Sequence, residues 1–248
     1  RLVALGSADP ALQVVAALEL AAHSRLGEDA GVIAGCGTLG VALAGELREP
    51  VDAAIDFSVP AAVGNIVAIC REQKIPLVIA TTGLEDAHRA QIRDAAKLIP
   101  LLCAPSMSLA SNLVMKLAEI TGKALRDHPS GADVEIIERH HRYKEDAPSG
   151  TALAMGQIIA DAMGLDSHRH GREGRPGARP HNEIGYHAVR TGDNPGEHTI
   201  IFGLLGESIE LSVRATSRDS YAYGALAAAK FLAKQKPGLY SIRDVLGL

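Results

Sequence analysis

Residues Glu138 to Ala152 bring together side-chain types that exchange protons and bind anions. The stretch reads ERHHRYKEDAPSGTA, with two adjacent histidines, a lysine four residues after the first of them, and a Pro-Ser-Gly-Thr turn. A histidine gives or takes a proton near neutral pH, and a lysine ammonium donates a proton or stabilises an anionic oxygen. Hydroxyls and free backbone N–H groups at a helix start bind carboxylates. These residue types indicate a site for a small carboxylate-bearing substrate that is reduced or protonated at a neighbouring carbon.

The segments on either side predict that this stretch connects a strand to a helix. Asp133–Ile137 is short and largely apolar, as expected of a buried strand, and Thr151–Met163 repeats Ala, Leu, Ile and Met at helical spacing. Loops that a rigid scaffold holds often carry chemistry. Each polar residue alone would equally fit an ordinary basic loop with a serine N-cap and solvated histidines. Their occurrence together favours a functional site.

Strands alternate with helices in the first part of the chain. The pattern predicts two helices, Ala61–Gln73 and Glu85–Ile99, and a glycine-rich loop over Gly31–Gly40. The predicted strands are Val14–Glu19, Val51–Phe57, Leu77–Ala80 and Leu101–Ala104. Alternation of this kind indicates an α/β fold, a Rossmann-like doubly wound parallel sheet with right-handed crossovers.

The pattern changes after Ser108. We predict a long helix over Leu109–Arg126, a long exposed loop over Leu165–Glu183, and a final helix over Tyr221–Lys234, after which the tail returns to the first domain. Three more strands, typical of a mixed or antiparallel sheet, are Ile184–Arg190, His198–Leu204 and Ser208–Ala215. We therefore expect two domains, residues 1–108 with 218–248 and an inserted α+β domain of residues 109–217.

Composition excludes several classes of protein. The chain has 248 residues, 47% of them hydrophobic, and no apolar run reaches the length that a membrane span needs. No secretory signal is recognisable, and the net charge of −4 argues against a general nucleic-acid surface. The three cysteines, Cys36, Cys70 and Cys103, form no C-x-x-C pair and are read as reduced thiols of a cytoplasmic protein. Most of the ten histidines are scattered singly, so no metal site is expected.

The motif E-x-H-H-x-x-K-x-D-A-P-S-G-T-A resembles the signature of the 4-hydroxy-tetrahydrodipicolinate reductase family, also called dihydrodipicolinate reductase. The resemblance extends along nearly the whole chain, through LGEDAG at Leu26–Gly31, IDFS at Ile55–Ser58, TTG at Thr81–Gly83 and IRDVL at Ile242–Leu246. It implies reduction of 4-hydroxy-tetrahydrodipicolinate, a small cyclic dicarboxylate, to tetrahydrodipicolinate in lysine and diaminopimelate biosynthesis. It also implies NADH or NADPH as cofactor, and a homotetramer formed through the sheet of the inserted substrate-binding domain.

The resemblance also implies roles for the motif residues. His140 would be the general acid, and Lys144 its partner that donates a proton or stabilises negative charge as hydride arrives. The substrate carboxylates would be held by His141 and by the turn formed by Ser149, Gly150 and Thr151. Arg218 matches a family position near the substrate, although a surface arginine at a domain hinge is an open alternative.

Cofactor contacts are expected at the ends of the predicted strands. Glu19 ends the first strand, where a carboxylate would accept hydrogen bonds from an adenosine ribose, unless it is simply a solvated strand end. The turn of Ala80, Thr81, Thr82 and Gly83 would pass beneath a nicotinamide, with a tight βα turn as the alternative. The resemblance adds Phe57 and the segment Ala104, Pro105, Ser106 and Met107, although the family usually has asparagine and phenylalanine at the last two positions.

The choice between NADH and NADPH is expected to depend on two positions. In some members of the family an arginine follows the ribose-binding acid, and another follows the Asp-Phe-Ser/Thr run. Here these positions hold Leu20 and Val59, and Arg25 is the nearest other cation in sequence. Since the 2′-phosphate of NADPH needs cations around it, we expect NADH to be used at least as well as NADPH.

A literal G-x-G-x-x-G occurs at Gly35–Gly40, but its context does not fit a dinucleotide fingerprint. The strand that should precede it lies too far upstream, so we read these glycines as loop geometry. In the family, the phosphate-binding glycine loop follows a first strand near the N-terminus, and Arg1 aligns just after that piece. A second hypothesis is therefore a truncated or catalytically silent homologue that oligomerises and binds cofactor poorly. A third, another Rossmann dehydrogenase of aspartate-derived substrates, does not explain the long motif.

Overall fold

The structure is a computed structural model that describes residues Arg1–Leu248. The chain divides into two units: a first unit of Arg1–Leu109 with Asp219–Leu248, and a second unit of Ala110–Arg218. In chain order the elements are α1 (Leu2–Ala8), β1 (Ala17–Leu18), α2 (Ala30–Ala34), β2 (Leu43–Ala44), β3 (Ala54–Asp56), α3 (Pro60–Gln73), β4 (Leu77–Ile79), α4 (Asp86–Ala96), β5 (Pro100–Cys103), α5 (Leu109–Leu125), β6 (Asp133–His140), α6 (Gly150–Met163), β7 (Ser167–His170), β8 (Glu183–Arg190), β9 (Glu197–Gly203), β10 (Ser208–Arg214), α7 (Asp219–Leu232), β11 (Gly238–Tyr240) and α8 (Ile242–Val245).

The first unit contains a parallel sheet covered on both faces. Its strand order is β11-β5-β4-β3, so the C-terminal tail adds the strand beside β5. Successive residues of β4 point to opposite faces: Leu77 and Ile79 pack with the core around α3 and α4, and Val78 packs with the core around α7. Burial on both faces explains why β4 is continuously apolar. The predicted doubly wound α/β fold is confirmed.

The second unit contains a mixed sheet with the strand order β10-β9-β6-β8-β7. The central strand β6 pairs parallel with β8 and antiparallel with β9. One face of the sheet packs against α5 and α6, where Val134 and Ile136 meet Met155 and Ile159 in a buried apolar cluster. This core holds the end of β6, and with it the motif residues, in a fixed position.

Several predicted boundaries are wrong, each for a local reason. The strand before the motif does not end at Ile137 but continues to His140, because both neighbouring strands pair with its polar end. The predicted loop Leu165–Glu183 contains the edge strand β7, which pairs with β8. The predicted strand Val14–Glu19 is only two residues long and pairs with β2 in a separate sheet.

The glycine-rich segment Gly31–Gly40 begins as a helix rather than as a loop. Asp29 caps α2 by accepting the N–H groups of Gly31 and Val32. The same carboxylate accepts the N–H groups of Leu39 and Gly40, and these hydrogen bonds hold its pKa below the usual value. Four backbone N–H groups of this segment are thus occupied by Asp29. The element directly before Gly35–Gly40 is the helix α2, whereas a dinucleotide fingerprint follows a strand.

Two further observations concern the class of protein. None of the helices has the length and apolar character needed to cross a membrane. All three cysteines are free thiols, with Cys36 exposed and Cys70 buried. Burial, with a smaller contribution from Asp56, raises the pKa of Cys70 to about 12, so this thiol stays protonated and unreactive.

Candidate active site

The carboxylate of Glu138 lies at the centre of the motif region and is completely buried. Its Oε1 accepts hydrogen bonds from Arg190 Nη2 at 2.7 Å and from the backbone N–H of Ser149 at 3.1 Å. Its Oε2 accepts one from Arg190 Nη1 at 2.8 Å and lies 2.6 Å from His140 Nδ1. Each oxygen therefore has two partners, as a buried charge requires.

These contacts keep Glu138 ionised despite its burial. Burial alone would raise the pKa of its carboxyl, but the hydrogen bonds from Arg190 and His140 outweigh that effect, and the pKa is lowered. Arg190 Nη2 also donates to the carbonyl oxygen of Asp146 at 2.6 Å. The Glu138–Arg190 pair thus joins β6, β8 and the loop that leads to α6.

His140 is the last residue of β6 and is largely buried. Burial lowers the pKa of its imidazole; the hydrogen bond to Glu138 opposes the shift, and the charges of Lys144 and Arg190 add to it. A Cβ atom built on Gly196 would lie 3.0 Å from His140 Nε2, and the φ of Gly196 is +149°. A side chain at this position would press against Nε2, so glycine allows the backbone of residue 196 to pack beside the ring.

His198 on β9 packs against His140, with ring centroids 5.2 Å apart and planes at 74°. Its Nε2 is 2.9 Å from Ser149 Oγ, which also caps α6 by accepting the N–H of Ala152. Burial, and then the charge of His140, lowers the pKa of His198 to about 4. His198 is therefore neutral at pH 7 and supports the ring of His140 without supplying protons.

The turn that follows β6 carries the other predicted motif residues. Lys144 Nζ lies 2.7 Å from Asp146 Oδ1, and the pKa of Asp146 is lowered chiefly by this hydrogen bond. His141 Nε2 lies 3.2 Å from Arg218 Nη2. Because a guanidinium has no acceptor, His141 Nε2 accepts this bond. His141 Nδ1 is buried and has no hydrogen-bond partner in the protein.

The start of α6 offers backbone donors to an anion. Ser149 is predicted to bind a substrate carboxylate; in the protein its N–H donates to Glu138, and its hydroxyl accepts the N–H of Ala152 and lies 2.9 Å from His198 Nε2. Gly150 and Thr151 follow as the first two helical residues, and no acceptor within the protein is close to their N–H groups. The N-terminus of α6 can therefore receive a carboxylate through these two residues.

The predicted cofactor residues lie in the first unit, after the carboxyl ends of β3, β4 and β5. Phe57, Thr82, Gly83 and Pro105 are exposed there, and Ala80, Ala104 and Ser106 are half-buried. Thr81 is buried and donates its hydroxyl to Asp56 Oδ2 at 2.6 Å. Met107 is only 1% exposed and packs in the core near α7, so its side chain cannot contact a ligand. The exposed members form one edge of a parallel sheet, where open α/β sheets bind nucleotides.

Glu19 lies directly after β1 and is exposed. Its Oε2 accepts a hydrogen bond from the backbone N–H of Leu20 at 3.1 Å, and the carboxylate forms no ion pair. Arg25 is paired with Glu28, at 2.7 Å from Nη2 to Oε2. Glu19 and the exposed residues at the sheet edge are the candidates for cofactor contacts in the first unit.

Sequence reasoning gave no role to Glu138, Arg190 and His198. Glu138 and His140 are two residues apart in one strand and therefore lie on the same face, a signal that was available in the motif. In the sheet, Arg190 is the cross-strand neighbour of His140, and His198 is that of Glu138. No local pattern in the sequence reveals this register.

Two family models match the chain. The model described as dihydrodipicolinate reductase, N-terminus, matches residues 1–107, and the one described as dihydrodipicolinate reductase, C-terminus, matches residues 110–246. The 4-hydroxy-tetrahydrodipicolinate reductase of Rhodopirellula baltica is 55% identical over an aligned length of 256 residues, and the alignment covers 100% of this chain and 91% of the relative. That of Alkalilimnicola ehrlichii is 46% identical over 251 residues, covering 99% and 92%.

The fold is similar to that of a solved structure, the dipicolinate-bound dihydrodipicolinate reductase from Paenisporosarcina sp. TG-14. The TM-score is 0.74 at 24% sequence identity, and the match covers 95% of this chain and 90% of the other. An amine dehydrogenase from Mycobacterium smegmatis gives a TM-score of 0.63 at 13% identity, covering 97% and 91%. These similarities concern the fold.

The buried His198 predicts a loss of stability in acid. Its pKa falls from 6.5 to about 4 on folding, so between these pH values the unfolded chain binds a proton at this histidine and the folded chain does not. This stability is complete above pH 6.5 and is lost as the pH falls to about 4, by about 3 kcal/mol. His140, whose pKa is also lowered, contributes with the same sign. Urea unfolding at a series of pH values measures the loss.

His198→Gln should lose less stability than the wild type over this pH range, because its side chain cannot be protonated. The exposed His181 provides a matched control, and His181→Gln should follow the wild type. Parallel curves for His198→Gln and the wild type would contradict the assignment.

Proposed function

The chain belongs to the dihydrodipicolinate reductase family, and on this premise we propose that it reduces 4-hydroxy-tetrahydrodipicolinate to tetrahydrodipicolinate. It is an oxidoreductase that uses a nicotinamide cofactor. Its place would be in lysine and diaminopimelate biosynthesis in the cytoplasm. The observation that carries the substrate proposal is the N-terminus of α6: two backbone donors without acceptors lie directly after the buried Glu138–Ser149 contact.

The substrate has two carboxylates, and the second unit offers two kinds of group to neutralise them. Gly150 and Thr151 present N–H groups at the positive end of a helix, and the Thr151 hydroxyl makes no hydrogen bond within the protein. His141 and Arg218 contact each other and present a cation on the exposed side of the motif loop. A dicarboxylate would thus bind through a helix terminus and a guanidinium, both of which suit carboxylates.

The reaction replaces the 4-hydroxyl group of the substrate with a hydrogen, and the hydroxyl leaves as water after it takes up a proton. Bound NADH or NADPH supplies the hydride. His140 is the general acid, and Lys144 its partner that donates a proton or stabilises negative charge. Burial keeps His140 neutral in the free protein, and the charge of a bound dicarboxylate favours its protonation. The proton is therefore taken up when the substrate that needs it is present.

The residues of the first unit would hold the cofactor at the carboxyl edge of the parallel sheet. Glu19 would accept hydrogen bonds from the adenosine ribose, and Thr82 with Gly83 would contact the nicotinamide. Phe57 and Pro105 add exposed apolar surface. Thr81 would act indirectly, because its hydrogen bond to Asp56 fixes the start of the turn that carries Thr82.

NADH is proposed to serve at least as well as NADPH. Leu20 and Val59, at the positions where some family members carry arginines, are exposed and apolar. Arg25, the nearest other cation in sequence, is paired with Glu28. A 2′-phosphate would therefore meet the Glu19 carboxylate without a free counter-charge.

The alternative of a catalytically silent homologue has no observation in its favour. His140 and Lys144 are both present, and the relatives that cover the whole chain are named as reductases. Thermal stabilisation of the protein by NADH tests cofactor binding without turnover. A protein that shows neither stabilisation nor turnover would revive the alternative.

A homotetramer formed through the sheet of the second unit is also proposed. Within this unit α5 and α6 cover one face of the sheet, and the other face carries Ile137, Val189, Thr199 and Ile201. Val189 is 38% exposed, and the other three are half-buried. The same face also carries charged residues, among them the ion pair of Arg139 with Glu197. A sheet face of apolar residues and paired charges is suited to pack against a copy of itself. Light scattering should give four times the chain mass of 26.0 kDa, and the mass of a monomer would contradict the proposal.

Replacing His140 or Lys144 with alanine should lower kcat by about 100-fold or more without unfolding the protein, because each removes a proton-transfer group. His141→Ala should act more strongly on substrate KM, since His141 is given a binding role. Steady-state kinetics at saturating cofactor measures both. Glu145→Ala, which removes an exposed charge from the same loop, is the control and should resemble the wild type. Near-normal turnover in either catalytic variant would disprove the assignment.

Thr151→Val keeps the side-chain shape but removes the hydroxyl proposed to contact a substrate carboxylate. Loss of one hydrogen bond to a charged group costs about 1.5–3 kcal/mol, so substrate affinity should fall by roughly ten- to a hundredfold. Thr151→Ser retains the hydroxyl and should keep most of the affinity. A fall in cofactor affinity instead would show that the turn belongs to the dinucleotide site.

Leu20→Arg should shift the cofactor preference toward NADPH, because it places a guanidinium next to the ribose-binding acid. The measurement is kcat/KM for both cofactors at one salt concentration, since salt screens phosphate contacts. Leu20→Gln is the uncharged control and should leave the preference unchanged. A strong NADPH preference in the unmodified protein would contradict the proposal and make Arg25 the first residue to test.

A further inference from the structure

Glu138 has no role in the proposed chemistry so far, yet it makes the shortest hydrogen bond to the proposed general acid. The distance from its Oε2 to His140 Nδ1 is 2.6 Å, and its side chain is completely buried. A role for Glu138 rests on the proposed role of His140 as general acid, because Glu138 contacts the Nδ1 atom of that histidine.

The chemistry of the two groups decides which ring nitrogen carries the proton. An ionised carboxylate only accepts hydrogen bonds, so His140 Nδ1 must be the donor. A neutral imidazole has one N–H, and Nε2 is then left with its lone pair. Nε2 is also the nitrogen beside Gly196, where an added Cβ atom would be only 3.0 Å away.

Arg190 explains why the Glu138 carboxylate orients the His140 ring without keeping it protonated. Both of its terminal nitrogens pair with Glu138, at 2.7 and 2.8 Å, so the negative charge is already balanced when no substrate is bound. The other groups that act on His140 are Lys144 in the following turn, which is cationic, and His198 on β9, which is neutral at pH 7. The ring therefore faces one balanced carboxylate on its Nδ1 side.

We propose that Glu138, held by Arg190, is a positioning residue that fixes His140 in the Nδ1–H tautomer, so that the proton used in the reaction is taken up and delivered at Nε2. The step is a proton transfer only. The N–H bond formed at Nε2 on protonation is the one that breaks when the leaving hydroxyl becomes water, and Nδ1 keeps its proton throughout.

The substitution Glu138→Gln tests this proposal because it turns one of the two accepting oxygens into a donor. If the new NH2 group faces His140, the ring must accept at Nδ1 and move its proton to Nε2. If it faces Ser149 instead, it opposes the Ser149 N–H and an Arg190 nitrogen. In either orientation the NH2 group faces an Arg190 nitrogen, so Arg190 does not favour one orientation over the other. The contacts with Ser149 and His140 decide the orientation, and part of the population should carry the inverted tautomer.

The measurement is a ¹H–¹⁵N spectrum of histidine-labelled protein, whose long-range couplings distinguish a protonated ring nitrogen from one with a lone pair. His140→Asn removes the His140 signals and thereby assigns them. Wild-type protein without ligands should show Nε2 unprotonated at a pH where the ring is neutral. Glu138→Gln should show signal of the Nε2–H form, with kcat lowered about tenfold or more and a changed pH profile.

Glu135→Gln is the matched control. Glu135 lies on the same strand but on the opposite face, and it also pairs with two arginines, Arg172 and Arg179. This variant should leave the tautomer of His140 as in the wild type. A general weakening of β6 would affect both variants, whereas a positioning role affects only Glu138→Gln.

The proposal is overturned if wild-type His140 carries its proton on Nε2, a result that does not depend on whether Glu138→Gln folds. It is also overturned if folded Glu138→Gln keeps the wild-type tautomer. The spectrum requires neither substrate nor cofactor, so it is independent of the proposed function. Wild-type protein with the expected tautomer but no reductase activity would refute the function, whereas the conclusion that Glu138 fixes the tautomer of His140 would stand.

Discussion

The pairing of Arg190 with the buried carboxylate of Glu138, at 2.7 and 2.8 Å, is the contact on which the geometry of the second unit depends. A buried charge is tolerated only when it is paired and hydrogen-bonded, so every donor around Glu138 is held in one arrangement. The donors come from β6, from β8 and from the residue that caps α6. One carboxylate therefore sets the ring of His140, the course of the loop and the start of the helix that is proposed to bind the substrate.

The first unit uses carboxylates in a similar way, with backbone N–H groups as the partners of Asp29 and a side-chain hydroxyl as the partner of Asp56. Asp29 accepts four N–H groups, from Gly31, Val32, Leu39 and Gly40, and so gives the glycine-rich segment its shape. Asp56 fixes Thr81 at the start of the turn beneath the proposed nicotinamide site. In both units the acids that shape the structure are shielded by their own partners. Several of the groups proposed to bind ligands are exposed, among them Glu19, Thr82, Gly83, Gly150 and Arg218.

Much of the fold could be predicted because its strands and helices follow simple periodicities. Leu77–Ile79 is apolar on both faces and reads as a buried parallel strand, and its neighbours repeat that pattern. The extension of β6 to His140 could not be predicted in this way, because its last residues are polar and are buried only through partners from other strands. For the same reason Arg190 and His198 were missed. Their proximity to the motif is a property of sheet register, which a single sequence does not specify.

The site residues likewise divide into features that residue type predicts and features that depend on burial and on partners from elsewhere in the chain. The residue types of the motif indicated acid–base chemistry and carboxylate binding, and the resemblance supplied the reaction. Ser149 was expected to contact substrate because a serine at a helix start offers a hydroxyl, and the structure adds that this hydroxyl also caps α6 and contacts His198. Met107 was expected at the cofactor, but its side chain fills the core. Residue type suggests which groups can bind; only burial and partners tell which of them are free.

Transfer of deuterium tests the central claim, reduction of the cyclic dicarboxylate by a nicotinamide cofactor, most directly. The protein is incubated with 4-hydroxy-tetrahydrodipicolinate and NADH that carries deuterium at both C4 positions, and the product is analysed by mass spectrometry. The account predicts tetrahydrodipicolinate with one deuterium on carbon for each NADH oxidised. Oxidation of NADH without deuterium in the product, or no product from protein that binds both ligands, would contradict it.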